Sequence, residues 1–139
     1  MARDYYHAVV KKALEMDGWT ITDDPYFIYV GRRKGFIDLG AERKLIGAQK
    51  GDEKIAIEIK SFLAPSDLDQ FEDALGQFMV YLVALERKEP ERRLFLALPR
   101  GFYERFFDDP FFSELTQRYS VNMIVFEEEQ PKITQWIKY

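Results

Sequence analysis

Lys54-Ile55-Ala56-Ile57-Glu58-Ile59-Lys60, read together with Phe36-Ile37-Asp38-Leu39, is the stretch that decides the fold. In an extended strand successive side chains alternate faces, so Ile55, Ile57 and Ile59 point one way and Ala56, Glu58 and Lys60 the other. The three isoleucines mark a core-facing side. Glu58 and Lys60 are neighbours on the opposite side, about 6 to 7 Å apart at Cα for a rise of about 3.3 Å per residue. Asp38 lies in a second apolar strand, Phe36 to Leu39, far enough upstream for the chain to return beside the first and set Asp38 opposite Glu58. Leu45 to Gln49 also reads as strand, and Lys50-Gly51-Asp52-Glu53 supplies turn residues before Ile55, which predicts an antiparallel hairpin there.

Outward from this centre the pattern is punctuated rather than repetitive. Asp4 to Asp17 is helical in period, with Tyr6, Val9, Val10, Ala13 and Leu14 on one side and Gly18 as the stop. Trp19 to Thr22 and Tyr26 to Val30 are aromatic and β-branched runs broken by Asp23-Asp24-Pro25, so they read as short strands. Ser66, with Asp69 three residues on, makes a capping box after Pro65. Leu68, Phe71, Leu75, Phe78, Leu82 and Leu85 then form an apolar stripe at helical spacing, the mark of a helix laid on a sheet. Leu94 to Leu98 is a strand ended by Pro99. Tyr103 to Tyr119 is helical but interrupted at Asp109-Pro110, and Val121 to Phe126 and Ile133 to Ile137 close the chain as strands. The order implies an α/β (α+β) fold with a central mixed β-sheet flanked by helices.

A chain of 139 residues fits one domain, residues 1–139, around one core. Aromatics make up 16 %, enough burial to exclude intrinsic disorder. The absence of cysteine excludes disulfide scaffolds, thiolate metal sites and thiol catalysis. With no apolar run near the ~20 residues of a membrane span and no apolar leader after Met1, the expectation is a cytoplasmic protein with no membrane partner. The net charge of −4 argues against a module that binds nucleic acid by charge alone, though not against an enzyme whose acidic site takes up a cation.

Two carboxylates and a lysine at a strand end suit a hard divalent cation. Asp38 and Glu58, with the backbone carbonyl of Ile59, offer oxygens to Mg²⁺ or Mn²⁺, and Lys60 can orient water or offset charge during phosphodiester hydrolysis. The same acid-x-lysine pattern also occurs on the wet face of an ordinary hairpin. Glu42 falls on the Asp38 face if the strand continues, and is an alternate ligand unless Gly40 marks a bulge. Asp4 either supports the metal site or favours the first helix electrostatically. Arg32-Arg33-Lys34, with Arg43 and Lys44, is the one dense basic cluster, a DNA-backbone contact or a solvated loop. The aromatics Phe102, Tyr103, Phe106, Phe107, Phe111 and Phe112 read as core, with any exposed part a partner surface.

Ile37-Asp38-Leu39-Gly40-Ala41-Glu42 followed by Ile55-Ala56-Ile57-Glu58-Ile59-Lys60-Ser61-Phe62 resembles the PD-(D/E)xK nuclease signature, with Ile37 where that signature has proline. Nearly end to end, the chain resembles the XisH family, the fdxN-element excision controlling factors of cyanobacteria. That likeness is carried also by His7-Ala8-Val9-Val10-Lys11, Asp17-Gly18-Trp19 and Ala74-Leu75-Gly76-Gln77-Phe78. The resemblance implies a restriction-endonuclease-like fold and a metal-dependent DNA phosphodiesterase with Asp38, Glu58 and Lys60 at its centre. It implies a part in programmed excision of a DNA element during heterocyst development, with a small XisI-like companion protein and a site-specific recombinase. It also draws in Gln77 and Tyr81, one turn apart on the long helix, and His7, on the helix where relatives place an acidic residue that supports the metal. His7 alternatively belongs to the core or the helix surface. The competing reading is a catalytically silent accessory subunit on the same fold that binds the companion or DNA. A homo-oligomer is left open.

Overall fold

The computed structural model describes residues 4–44 and 52–139. Its elements in order are α1 (His7–Met16), β1 (Thr20–Asp23), β2 (Tyr26–Val30), β3 (Arg33–Ile37), β4 (Leu39–Lys44), β5 (Asp52–Ile59), α2 (Asp67–Lys88), β6 (Arg93–Pro99), α3 (Arg100–Phe106), α4 (Pro110–Arg118), β7 (Met123–Phe126) and β8 (Ile133–Ile137). Six strands form one sheet in the order β1-β4-β5-β6-β7-β8. Its centre, β5-β6-β7, is parallel, and β1, β4 and β8 pair antiparallel at the flanks. The mixed α/β architecture expected from the sequence is therefore present.

The alternation along β5 sorts the molecule into two cores. Ile55, Ile57 and Ile59 join Val10 and Leu14 of α1 on one face of the sheet. Ala56 joins Phe71, Phe78 and Leu85 of α2 and Phe102 of α3 on the other. Helix α2 starts as its sequence dictates, with the Ser66 hydroxyl accepting the Asp69 amide at 3.2 Å. Of its stripe, Phe71, Phe78 and Leu85 are buried, Leu75 and Leu82 are half-buried against the same core, and Leu68 in the first turn is exposed. The phenylalanines of α3 and α4 fill the end of this core, with Phe62 stacked on Phe102 at 3.8 Å, and Phe111 alone of that group is exposed.

Several expectations need correction. The antiparallel partner of β5 is β4, Leu39–Lys44, so Asp52 and Glu53 belong to the strand and not to a turn. The strand expected at Leu45 to Gln49, with Lys50 and Gly51, lies outside the described residues. Phe36 to Leu39 is not one strand. β3 ends at Ile37 in a separate two-stranded sheet with β2, β4 begins at Leu39 in the main sheet, and Asp38 is the joint between them. Arg33 and Lys34 consequently lie within a strand rather than a loop. The bulge also falls elsewhere. It is in β1, between Ile21 and Asp23, opposite Gly40. A side chain at Gly40 would meet Asp23 and the Tyr26 ring at 2.9 Å, which is why glycine stands there.

Candidate functional site

Asp38 and Glu58 meet because β4 and β5 pair with Leu39 opposite Ile57, which carries Asp38 to the level of Glu58. The two residues clasp each other through the backbone. The Ile59 amide donates to Asp38 Oδ2 at 2.7 Å, and the Asp38 amide donates to Glu58 Oε1 at 3.3 Å. In a strand the amide and carbonyl of one residue point to the same side, so the Ile59 carbonyl opens toward Asp38. The next amide, Lys60, turns the other way and donates to Ala97 of β6 at 3.0 Å.

Glu58 is only 5 % exposed. Burial, followed by the Asp38 charge and the hydrogen bond to its side chain, pushes the Glu58 carboxyl up to about 9; the Lys60 ammonium and the Asp38 amide pull in the other direction and lose. All the candidate donors are oxygens, and a cation is what would let both carboxylates ionise at neutral pH, so the residues present fit Mg²⁺ or Mn²⁺.

Helix α2 brings two polar side chains into the field of this pair. Gln77 donates to the Tyr81 hydroxyl at 2.9 Å. Burial, and then the charges of Glu58 and Asp38, raise the Tyr81 hydroxyl above its ordinary value against the pull of the Gln77 bond, so the tyrosine lies within their field. Tyr81 faces the charge of the acid pair, and Gln77 is joined to it through their hydrogen bond. Beyond Lys60 the strand end opens into a cleft of about 230 Å³ lined by Asp4, Lys60, Ser61, Phe62, Gln70 and Asp73. Asp4 accepts the Ser61 amide at 2.9 Å with one oxygen and the Tyr6 amide at 3.0 Å with the other, so it ties the turn before α1 to the backbone next to Lys60.

Two candidates are bonded elsewhere. Buried His7 meets Asp24 at 2.7 Å, and Lys11 holds the other oxygen of that carboxylate at 2.8 Å. Its hydrogen-bond partner is in the β1–β2 connection rather than at Asp38 or Glu58. Glu42 lies across from Lys54 and pairs with Arg92 at 3.3 Å, several residues down the sheet from Asp38. The sequence reading missed Asp24, although its place before Pro25 in a turn made it a visible acceptor, and missed Arg92, whose partners come from four separate segments.

A mixed sheet with two carboxylates and a lysine gathered where a parallel core meets an antiparallel flank defines an α/β protein with a paired-carboxylate site. Residues 1–134 match the family described as XisH protein. The chain belongs to the XisH family. The crystal structure of an XisH family protein from Nostoc punctiforme PCC 73102 is 45 % identical, with a TM-score of 0.84 over 97 % of this chain and 100 % of that one. A fdxN element excision controlling factor protein from Anabaena variabilis is also 45 % identical, with a TM-score of 0.87 over 98 % and 100 %. No curated protein matches the chain. No helix among the described residues is long and apolar enough to cross a membrane.

Proposed function

We propose that this XisH-family chain is an excision controlling factor that cleaves DNA phosphodiesters with the help of Mg²⁺ or Mn²⁺. The observation that carries the reading is the clasp between Asp38 and Glu58, which holds two carboxylates together at the end of a buried strand with Lys60 on the same face. Asp38, Glu58 and the Ile59 carbonyl hold the ion. When bound, the ion supplies Lewis acidity toward the phosphodiester. Lys60 orients the attacking water and offsets charge accumulating on the phosphoryl oxygens. Gln77 and Tyr81 restrict the space over the acid pair and offer polar contacts to a phosphate. The DNA substrate, a XisI-like companion and a recombinase that rejoins the strands belong to this proposal, because no residue of the site performs ligation.

One observation favours the silent accessory reading instead. Glu58 held neutral against Asp38 is a satisfied arrangement that needs no ion. Incubation of the protein, alone and with its companion, on supercoiled, branched and single-stranded DNA with Mg²⁺ or Mn²⁺ separates the two. Ion-dependent cleavage that disappears in Asp38→Ala and Lys60→Ala supports the nuclease. Intact DNA throughout, with calorimetry detecting no ion uptake by the parent protein, leaves the accessory role.

A further inference from the structure

The β2–β3 hairpin forms a sheet of its own, and its two faces differ in kind. Tyr26, Ile28 and Ile37 point inward and are buried in the core beneath α2. The outward positions are Phe27, Tyr29, Lys34 and Phe36, with Phe27 opposite Phe36 and Tyr29 opposite Lys34 in the register. The three rings adjoin, Phe27 to Tyr29 at 4.9 Å and Phe27 to Phe36 at 5.9 Å between centroids. Tyr29 is 56 % exposed and Phe36 37 %.

Cations frame this ring surface. Lys34 lies 5.8 Å from the Phe27 centroid, whereas Lys88 of α2, bonded to the Phe27 carbonyl, lies nearer the inward Tyr26 ring, 4.2 Å against 5.4 Å from Phe27. The turn, Gly31 and Arg32, has Gly31 at φ +62°, as a primed hairpin turn with glycine first requires, and adds exposed Arg32 beside the strand. Residues 26–37 contain three cations and no carboxylate, in a chain whose acids outnumber its bases. Among the described residues Arg32, Arg33 and Lys34 enter no ion pair.

We infer that the outer face of the β2–β3 hairpin binds an unpaired nucleic-acid strand, its bases stacking on Tyr29, Phe36 and Phe27 and its phosphates meeting Lys34 on that face and Arg32 at the turn. Uncompensated cations beside exposed rings match the two surfaces of such a strand, charged backbone and flat base. In a duplex the base faces are covered by their neighbours, so rings on a protein surface reach them only when the strand is unpaired. The hairpin also runs straight into the candidate site, since β3 ends at Ile37 and Asp38 follows. A strand held on the hairpin would be delivered toward Asp38, Glu58 and Lys60, a link that rests on the nuclease reading, whereas the binding itself does not.

The test is fluorescence anisotropy of the full chain with a labelled dT oligonucleotide of about 15 nucleotides in EDTA at low salt, beside a dA·dT duplex of equal length and anionic phosphatidylserine vesicles. The parent should bind the single strand at least about tenfold more tightly than the duplex. Tyr29→Ala with Phe36→Ala should weaken that binding by about tenfold or more, because base stacking on each ring is lost. Arg32→Glu with Lys34→Glu, both exposed, should weaken it as well and lower the logarithmic salt slope by about 1.4, from about 0.7 per phosphate contact. Equal affinity for duplex, binding to vesicles but not to the strand, or folded variants that bind like the parent would overturn the inference. Because EDTA removes any divalent ion, strand binding without cleavage in the Mg²⁺ assay defeats only the nuclease reading, and cleavage without strand binding in EDTA defeats only this one.

Discussion

Glu58 and Glu89 are both glutamates drawn out of water, and their surroundings push them in opposite directions. Glu89, just beyond α2, accepts from Tyr26 at 2.7 Å, from Arg92 at 2.7 Å and from Lys54 at 3.3 Å, and these partners hold its carboxyl down at about 2 against the burial that would raise it. Arg92, only 6 % exposed, also caps the carbonyls of Ile55 and Ala41 and stacks on Tyr26, its centre 4.8 Å from the ring. Every charge there has its opposite. At Glu58 the neighbouring acid is a second carboxylate, Lys60 compensates only in part, and the imbalance is met by a proton on Glu58. One cluster is closed by opposite charges and serves to hold β4, β5, β2 and α2 together, whereas the other is closed only by a proton, whose place an outside cation would have to take.

The largest expected effect tests the closed cluster. Arg92→Ala leaves Glu89 and two buried carbonyls without their partner and should cost about 3 kcal/mol or more in urea denaturation. A loss below about 1 kcal/mol would mean the two clusters are energetically alike. Next comes the one closed by a proton. Between the ordinary glutamate value of 4.5 and about 9, the folded chain carries a proton on Glu58 that the unfolded chain has released. Stability from this group is thus full at acid pH and is lost as pH rises through that window. Glu58→Gln mimics the protonated form, so it should flatten this slope and exceed the parent by about 2 kcal/mol at pH 8 without divalent ions. Mg²⁺ at ten times its dissociation constant should stabilise the parent by about 1.4 kcal/mol and leave Glu58→Gln behind.

Glu89 has the contrary sign. Its stability is present above 4.5 and drains away as pH falls toward 2. Tyr26→Phe removes one hydrogen bond from that carboxylate and should cost about 1 kcal/mol at pH 7, less as Glu89 becomes protonated; thermal melts across the acid limb measure it. The smallest effect sets the baseline. Arg105 and Asp67 form an ion pair at 3.1 Å that is largely in water, so Arg105→Ala should change the melt by less than about 0.5 kcal/mol.

Much of this arrangement is legible in the chain. Period-two alternation in β5 and the capped apolar stripe of α2 each encode local geometry, and the pairing of Asp38 with Glu58 follows once β4 returns beside β5. What stayed hidden needed tertiary information. The division of Phe36 to Leu39 between two sheets depends on Asp23 and Tyr26 packing over Gly40, and residues 26–44 show only a run of extended propensity. The closed cluster joins Glu42, Lys54, Glu89 and Arg92, whose spacing carries no period. His7 sat plausibly near the site because helices present their faces ambiguously until a partner such as Asp24 is known.

The contact between Asp4 and Ser61 ties together positions 57 residues apart. In hydrogen-exchange terms the Ser61 amide is sheltered by the segment that leads into α1 and not by a neighbouring strand, so its exchange rate counts how often that segment lifts away. A single amide thus serves as a clock for undocking at one end of the sheet while Lys60, next to it and bonded to Ala97, keeps the slower time of the interior.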